Sequence, residues 1–238
     1  VIEGPGGEQS ADQLRALIRE ASGVIVRQKL PDDIASACPK LLVAARHGVG
    51  VDLIPVEQCT PEGVFVTNVP AANADAVAEF VMAQMLAATR NVQAMSARHL
   101  AEGWKPARAM AATATELRGR TIGIVGVGAI GTRLAEIAHH GFRMKVLGNQ
   151  RRRAALPDFV DFAELPDLFA QSDFVALCCP LTAETKGLAS AAMIARMKPH
   201  AWLCNVSRGA VVDEEALVAA LREKRIGGGA TGAAGRRP

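Results

Sequence analysis

The sequence predicts an α/β fold with parallel sheets, and three observations carry that prediction. Short apolar runs alternate with amphipathic stretches along most of the 238 residues, which is the pattern of repeated strand–helix–strand units. One such run, Thr121-Ile122-Gly123-Ile124-Val125, leads straight into Gly126-Val127-Gly128-Ala129-Ile130-Gly131. After it, Ile130, Leu134, Ile137 and Ala138 return at helical spacing, so the glycines sit between a strand and a helix.

The other elements follow in chain order. Ser10 is placed to cap a helix bearing Leu14, Leu17 and Ile18 on one face. Gly23-Val24-Ile25-Val26 reads as a short buried strand, and Asp32-Asp33 opens a helix after Pro31. Leu41-Leu42-Val43-Ala44-Ala45 is the next strand, running into the glycine-bearing loop Arg46-His47-Gly48-Val49-Gly50-Val51-Asp52. Pro55 suits the first turn of a short helix, and residues 64–69 form another strand. A helix from about Ala74 to Ala88 carries Val77, Phe80, Val81, Met85 and Leu86; a more polar one spans residues 91–102. Residues 104–115 read as an irregular, alanine-rich arm. Beyond the glycine turn, strands are expected at 144–148, 174–179 and 201–206, with helices opened by Ser190 and by Asp213, the latter turning Leu217 and Leu221 inward.

Composition narrows the function classes. Half the residues are hydrophobic and 21% are charged, as in ordinary globular proteins. A net charge of +3 points to neither nucleic acid nor an anionic membrane as partner. The apolar stretch Ala71–Thr89 is broken by Asn73, Asp75, Glu79 and Gln84, so no membrane span is expected. Cys38, Cys59, Cys178, Cys179 and Cys204 lack metal-ligand spacing, so no metal is expected and they read as reduced core thiols of a cytoplasmic protein. The start, Val1-Ile2-Glu3-Gly4-Pro5-Gly6, lacks the basic and apolar regions of a signal peptide.

The glycine turn carries the chemistry. Gly126 permits a tight turn out of the strand, Gly128 leaves room for a pyrophosphate, and Gly131 lets the helix pack closely on the sheet. The N–H groups at Ala129, Ile130 and Gly131 begin a helix whose positive end favours phosphate. This is the fingerprint of a Rossmann-type dinucleotide site, with NADP or NAD as the cofactor. At the end of the second strand an acid would hold the adenosine ribose hydroxyls. The chain instead has Asn149-Gln150-Arg151-Arg152-Arg153. The missing carboxylate removes repulsion of a 2′-phosphate and the guanidinium groups could grip it, which favours NADP.

Four runs extend the reading. Asn205-Val206-Ser207-Arg208-Gly209-Ala210-Val211-Val212-Asp213-Glu214-Glu215-Ala216-Leu217 resembles the signature of the D-isomer-specific 2-hydroxyacid dehydrogenases. Cys179-Pro180-Leu181-Thr182-Ala183-Glu184-Thr185-Lys186-Gly187-Leu188 is similar to that family's loop beside the cofactor. The loop at 46–52 and the run Asn68-Val69-Pro70-Ala71-Ala72-Asn73 with Val77-Ala78-Glu79 resemble further family segments, in the family's order. The resemblance implies two Rossmann-like α/β domains with the active site in the cleft between them. It implies hydride exchange between a 2-oxoacid or D-2-hydroxyacid and the nicotinamide, in a homodimer formed through the 91–117 arm. Residues 1–91 are then a substrate domain with its connecting helix, and 92–226 the cofactor domain. The resemblance makes Arg208 the catalytic residue that grips the substrate carboxylate and carbonyl, with the N–H groups of Val49 and Gly50 at the carboxylate's other end. It places Pro180, Thr185, Val206 and Ser207 beside the cofactor, together with Asn149, Gln150, Arg151 and Arg152.

The sequence departs from that pattern in two places. The family's first strand and helix are not recognised before Ser10. Its general acid/base histidine and orienting glutamate follow a strand resembling A-L-D-V-F. There this chain reads Gly227-Gly228-Gly229-Ala230-Thr231-Gly232, without apolar periodicity. Residues 227–238 are therefore expected to be a disordered, aberrant tail from a truncated or frame-shifted gene, leaving the cofactor domain incomplete at its C-terminus. None of His47, His99, His139, His140 and His200 stands at the catalytic position. The expected function is an impaired NAD(P)-dependent oxidoreductase, with a non-catalytic, dimer-forming dinucleotide binder or a non-functional fragment as the alternative.

Overall fold

The computed structural model describes residues 7–232, in a chain that divides into two compact units, residues 1–73 and 74–238. The expectations for the first six residues and for residues 233–238 lie outside the described residues.

In the first unit, α1 (Ala11–Ile18) begins at Ser10, whose hydroxyl accepts from the Gln13 N–H while the Gln13 side chain accepts from the Ser10 N–H. That reciprocal box satisfies two donors that the first helical turn leaves open. The strands β1 (Gly23–Val26), β2 (Val43–Arg46) and β3 (Phe65–Thr67) form a parallel sheet in sequence order. Short helices α2 (Ile34–Ala37) and α3 (Val56–Cys59) connect them, with Pro55 at the N-cap of α3. Leu14, Ile18, Val26, Ile34, Ala44, Ile54 and Cys59 form one buried core.

The second unit begins with α4 (Ala74–Arg90), so the division expected at residue 91 falls instead at Asn73–Ala74. The cause is packing: Ala78, Val81, Met82 and Met85 belong to the core that also holds Ile122, Ile124 and Leu134. Helix α5 (Val92–Glu102) has no buried residue. The stretch expected to be irregular is largely helical, with α6 (Trp104–Ala109) followed by a 3-10 turn at Met110–Thr113. Its alanines supply the helix propensity that low amphipathicity concealed.

Six parallel strands form the second sheet: β4 (Thr121–Val125), β5 (Lys145–Asn149), β6 (Asp161–Phe162), β7 (Phe174–Leu177), β8 (Trp202–Asn205) and β9 (Gly228–Thr231). Their order is β6-β5-β4-β7-β8-β9, so the chain reverses direction across the sheet between β4 and β7. In such sheets ligands bind at the carboxyl ends of the strands beside that reversal. Helix α7 (Ala129–Glu136) follows β4, α8 (Leu165–Gln171) precedes β7, α9 (Ala191–Ile194) precedes β8 and α10 (Glu214–Arg222) precedes β9. Neither β6 nor α8 was legible in the sequence.

Strand β9 overturns the expectation of disorder for residues 227–232. It runs in register with β8 from Trp202 opposite Gly228 to Asn205 opposite Thr231. A Cβ on Gly228 would lie 2.6 Å from the Trp202 ring, and one on Gly227 2.4 Å from the His200 carbonyl oxygen. The missing side chains that erased the hydrophobic pattern are what let this strand close against Trp202.

Candidate dinucleotide site

The glycine turn sits at the reversal point. Gly126 leaves β4 with φ +91°, a conformation that favours glycine. Its N–H donates to the Asn149 carbonyl at the end of β5 (2.9 Å). A Cβ here would come within 2.7 Å of the Cys179 backbone, so the turn lies between the chain ends leaving β5 and β7. At Gly131 a Cβ would stand 2.2 Å from the Gly126 carbonyl oxygen, and α7 therefore packs directly on the turn.

Gly128, the N-cap of α7, differs from both. Among the described residues a Cβ there would meet nothing within 4 Å, and no side chain caps the helix. By contrast, α1, α9 and α10 are capped by Ser10, Ser190 and Asp213. The N-terminus of α7 thus offers its open N–H donors and positive dipole end to empty space, which fits a pyrophosphate.

The loops on either side hold the remaining residues expected at the cofactor. After β5, the Asn149 amide donates to the Ala163 carbonyl (2.8 Å) and the Gln150 amide to the Arg152 carbonyl (2.9 Å). Those two side chains hold the loop's shape. Arg153 is engaged locally: its guanidinium lies over the Phe162 ring, 3.7 Å from the centroid, and pairs with Glu164. Arg151 and Arg152 are exposed. After β7, the Thr185 hydroxyl donates to the Pro180 carbonyl (2.6 Å) and accepts from the Thr182 N–H (2.7 Å). The Thr182 hydroxyl donates to Glu184 (2.6 Å). That bond, with a smaller contribution from the Arg151 charge, holds the Glu184 carboxyl below the usual carboxylate range.

The turn after β8 is braced by Asn205, a residue the sequence reading did not single out. Its side-chain oxygen accepts from the Ser207 N–H and its amide donates to the Arg208 carbonyl, both at 3.0 Å. An asparagine two residues before a serine at a strand end is a turn signal that composition alone hides. The buried Ser207 hydroxyl donates to the Cys179 carbonyl, and the Val206 N–H donates to Leu177 (3.2 Å). The Arg208 guanidinium donates to the Ser207 carbonyl (2.9 Å) and is half-buried. Within this unit the structure thus brings the Gly126–Gly131 turn, the Pro180–Thr185 loop and Val206–Ser207 together at the carboxyl ends of β4, β7 and β8. Burial pushes the Cys178 and Cys204 thiols up to about 12, which leaves them un-ionised and inert at neutral pH.

In the first unit, the Val49 carbonyl accepts from the Asn68 amide (2.7 Å) and the Gly50 carbonyl from Arg46 (3.0 Å). With both carbonyls held, the N–H groups of Val49 and Gly50 make no hydrogen bond among the described residues.

The histidines sit elsewhere. His200 contacts Asp173 (2.8 Å) at the amino end of the second sheet, His139 and His140 cluster with Phe159, and His99 lies edge-on to Trp104. Among the described residues no group of three or more His, Cys, Asp or Glu is placed to hold a metal, and no helix is long and apolar enough to cross a membrane.

Comparison with known proteins places this geometry in context. Residues 82–233 match the NAD binding domain of the D-isomer specific 2-hydroxyacid dehydrogenases, a match that includes β9. A glyoxylate/hydroxypyruvate reductase B of Pectobacterium atrosepticum is 39% identical over 81% of this chain and 61% of its own length. Among solved structures, a D-lactate dehydrogenase of Aquifex aeolicus in complex with NAD and lactic acid superposes with a TM-score of 0.83 at 29% identity, over 93% of this chain and 67% of that one. An acyclic imino acid reductase in complex with NADPH and D-Arg gives 0.85 at 26% identity, over 96% and 74%. The chain spans 61% to 66% of the length of the curated reductases it matches.

Proposed function

The chain belongs to the D-isomer specific 2-hydroxyacid dehydrogenases, and from that premise we propose that it binds NADP in preference to NAD and takes part in reduction of a small 2-oxoacid. The observation that carries the reading is the uncapped N-terminus of α7 with open space over Gly128. Ala129, Ile130 and Gly131 donate to the pyrophosphate there. Gln150 and Asn149 fix the loop that presents Arg151 and Arg152 to a 2′-phosphate, while Pro180, Thr185, Val206 and Ser207 border the groove.

The dinucleotide, when bound, supplies the hydride. The chain's own contribution is to position the oxoacid. The Arg208 fork matches a carboxylate in two parallel hydrogen bonds, and the Asn205 brace fixes the backbone from which that side chain springs. The first unit has carboxylate donors of its own, the N–H groups of Val49 and Gly50. Residues 1–73 are in this reading the substrate unit and residues 74–238 the cofactor unit. The exposed Leu100 and Trp104 of the α5–α6 arm serve dimer formation, which size-exclusion chromatography tests.

Proton transfer is the weak link. Within the second unit, none of the four histidines lies at the carboxyl ends of the strands. Loss of a general acid typically costs ~10²–10⁴ in rate. The 238-residue chain is therefore expected to bind NADPH in calorimetry while oxidising it with glyoxylate or hydroxypyruvate at least 100-fold more slowly than a histidine-bearing relative. No NADPH binding, or tighter NADH than NADPH binding, overturns the cofactor reading. Rapid turnover overturns the proton-transfer argument alone.

A further inference from the structure

The loop after β2 ties down its backbone more completely than a connecting turn requires. In a trans peptide, the carbonyl of one residue and the N–H of the next point in opposite directions from one rigid plane. A hydrogen bond that holds a carbonyl therefore also aims the N–H that follows it. From His47 to Gly50 all four carbonyls are held. Those of His47 and Gly50 accept from the Arg46 guanidinium (2.8 and 3.0 Å). That of Gly48 accepts from the Val69 N–H (3.1 Å), and that of Val49 from the Asn68 amide (2.7 Å). Three consecutive N–H groups, of Val49, Gly50 and Val51, are thereby turned away from these donors, and none of them bonds to another described residue.

Arg46 also anchors the loop to the sheet. The same Nη1 that holds His47 donates to the Val26 carbonyl at the end of β1 (2.8 Å). A Cβ on Gly48 would lie 3.6 Å from the Arg46 Cζ, so the guanidinium rests directly against the loop. The side chain is half-buried and makes no ion pair among the described residues. Its charge therefore adds to the field of the three N–H groups instead of being neutralised by a carboxylate. Successive backbone N–H groups backed by a cation form a site for an anion.

We propose that Arg46 and Asn68 are positioning residues for the carboxylate of the oxoacid: they hold the loop's carbonyls so that the N–H groups of Val49, Gly50 and Val51 form one row of donors. Asn68 fixes the Val49–Gly50 peptide plane. Arg46 fixes the planes on either side of the loop, His47–Gly48 and Gly50–Val51, and supplies the charge. Neither side chain has to touch the substrate. Val51 thus joins the two donors already named, and the inference rests on the reading of Val49 and Gly50 as carboxylate donors.

The experiment is titration of the isotope-labelled chain with oxamate, a 2-oxoacid analogue, read at the backbone amide resonances. The parent is expected to show saturable shifts at Val49, Gly50 and Val51. Arg46→Gln removes the charge and frees the carbonyls, and is expected to weaken oxamate by about tenfold. Arg46→Lys keeps the charge without the planar fork, and is expected to stay about threefold weaker than the parent. Asn68→Ala frees the Val49 carbonyl alone, from an exposed side chain. It is expected to weaken oxamate by about threefold, with the free protein's largest amide shift at Gly50. Should the Arg46 variants fail to fold, Asn68→Ala decides alone. If oxamate leaves the Val49 and Gly50 amides of the parent unmoved, the carboxylate reading fails and takes the inference with it. If the parent responds, the inference alone is overturned by variants that melt earlier yet bind oxamate as the parent does. Full recovery by Arg46→Lys overturns the role of the fork.

Discussion

The two ends of the six-stranded sheet are both rich in polar groups, and they treat them in opposite ways. At the amino end, the buried Asp173 carboxylate accepts from the Thr121 N–H (2.8 Å), Lys198 (3.0 Å) and His200 (2.8 Å), with Arg120 at 3.9 Å. At the carboxyl end, the N-terminus of α7 has no side-chain cap, and Arg151 and Arg152 stand exposed. Charges saturated by their own chain hold a fold together; donors left open beside the reversal of strand order await a ligand. His200 is the instructive case, because histidine in a dehydrogenase invites a catalytic reading and its place beside Asp173 makes it structural.

The largest effect expected is from breaking the carboxyl end at its foundation. Gly131→Val would drive a side chain into the Gly126 carbonyl, where even a Cβ would stand 2.2 Å away. Backbone cannot yield there without moving α7 off the sheet, so a loss of about 3 kcal/mol or more is expected. Urea unfolding monitored by circular dichroism checks it, together with loss of NADPH binding.

Asp173→Asn breaks the other end. Burial opposes ionisation of this carboxyl, but the Thr121 N–H, His200 and Lys198 outweigh it and hold the group below the usual aspartate value. A lowered value in the folded state means the contribution is complete above the unfolded value of about 3.9. It is lost as pH falls through the lowered folded value, below about pH 4. The variant is expected to lose about 1–3 kcal/mol at pH 7, and the difference from the parent should shrink as the solution is acidified. Its affinity for NADPH should be unchanged, since the two ends share no partner; weakened binding would remove the contrast between them.

The sequence announced the carboxyl end better than the amino end, for a physical reason. Glycines at 126, 128 and 131 are tied to strand and helix at fixed spacing; at 126 and 131 the fold needs the clearance that spacing predicts, while at 128 it leaves open space. The Asp173 cluster draws Thr121, Lys198 and His200 from separate segments, so only the folded sheet assembles it. Strand β9 failed for the opposite reason: its side of the Trp202 contact is an absence, and hydrophobic patterning cannot register a glycine whose partner is a ring on the neighbouring strand. The brace of Asn205 and the Thr182–Glu184 bond were present in motifs already quoted, but what they touch is set by the turns after β7 and β8. The Val49–Gly50 loop was legible as a glycine-bearing strand end. That its carbonyls are tied by Asn68 and Arg46, leaving the N–H groups unpaired among the described residues, was not.

The smallest change sharpens the contrast most. Gly128 has φ −86° and ψ −156°, extended backbone that alanine adopts without strain. A Cβ there meets no atom within 4 Å, so the free protein has no reason to resist Gly128→Ala. Its stability is expected to stay within about 0.5 kcal/mol of the parent. The methyl group nevertheless occupies the space over the uncapped helix end through which a pyrophosphate must approach the backbone N–H groups. Affinity for NADPH should fall by about tenfold, ~1.4 kcal/mol, and affinity for NADH should fall by the same factor, since both carry the pyrophosphate. Arg151→Gln, which removes an exposed guanidinium proposed to meet the 2′-phosphate, is expected to weaken NADPH alone, whereas Gly128→Ala weakens both, so the pair of variants separates the phosphate cradle from the ribose pocket. Unchanged binding of both cofactors by Gly128→Ala, with the fold intact, would show that the open space over the helix is not where the pyrophosphate sits.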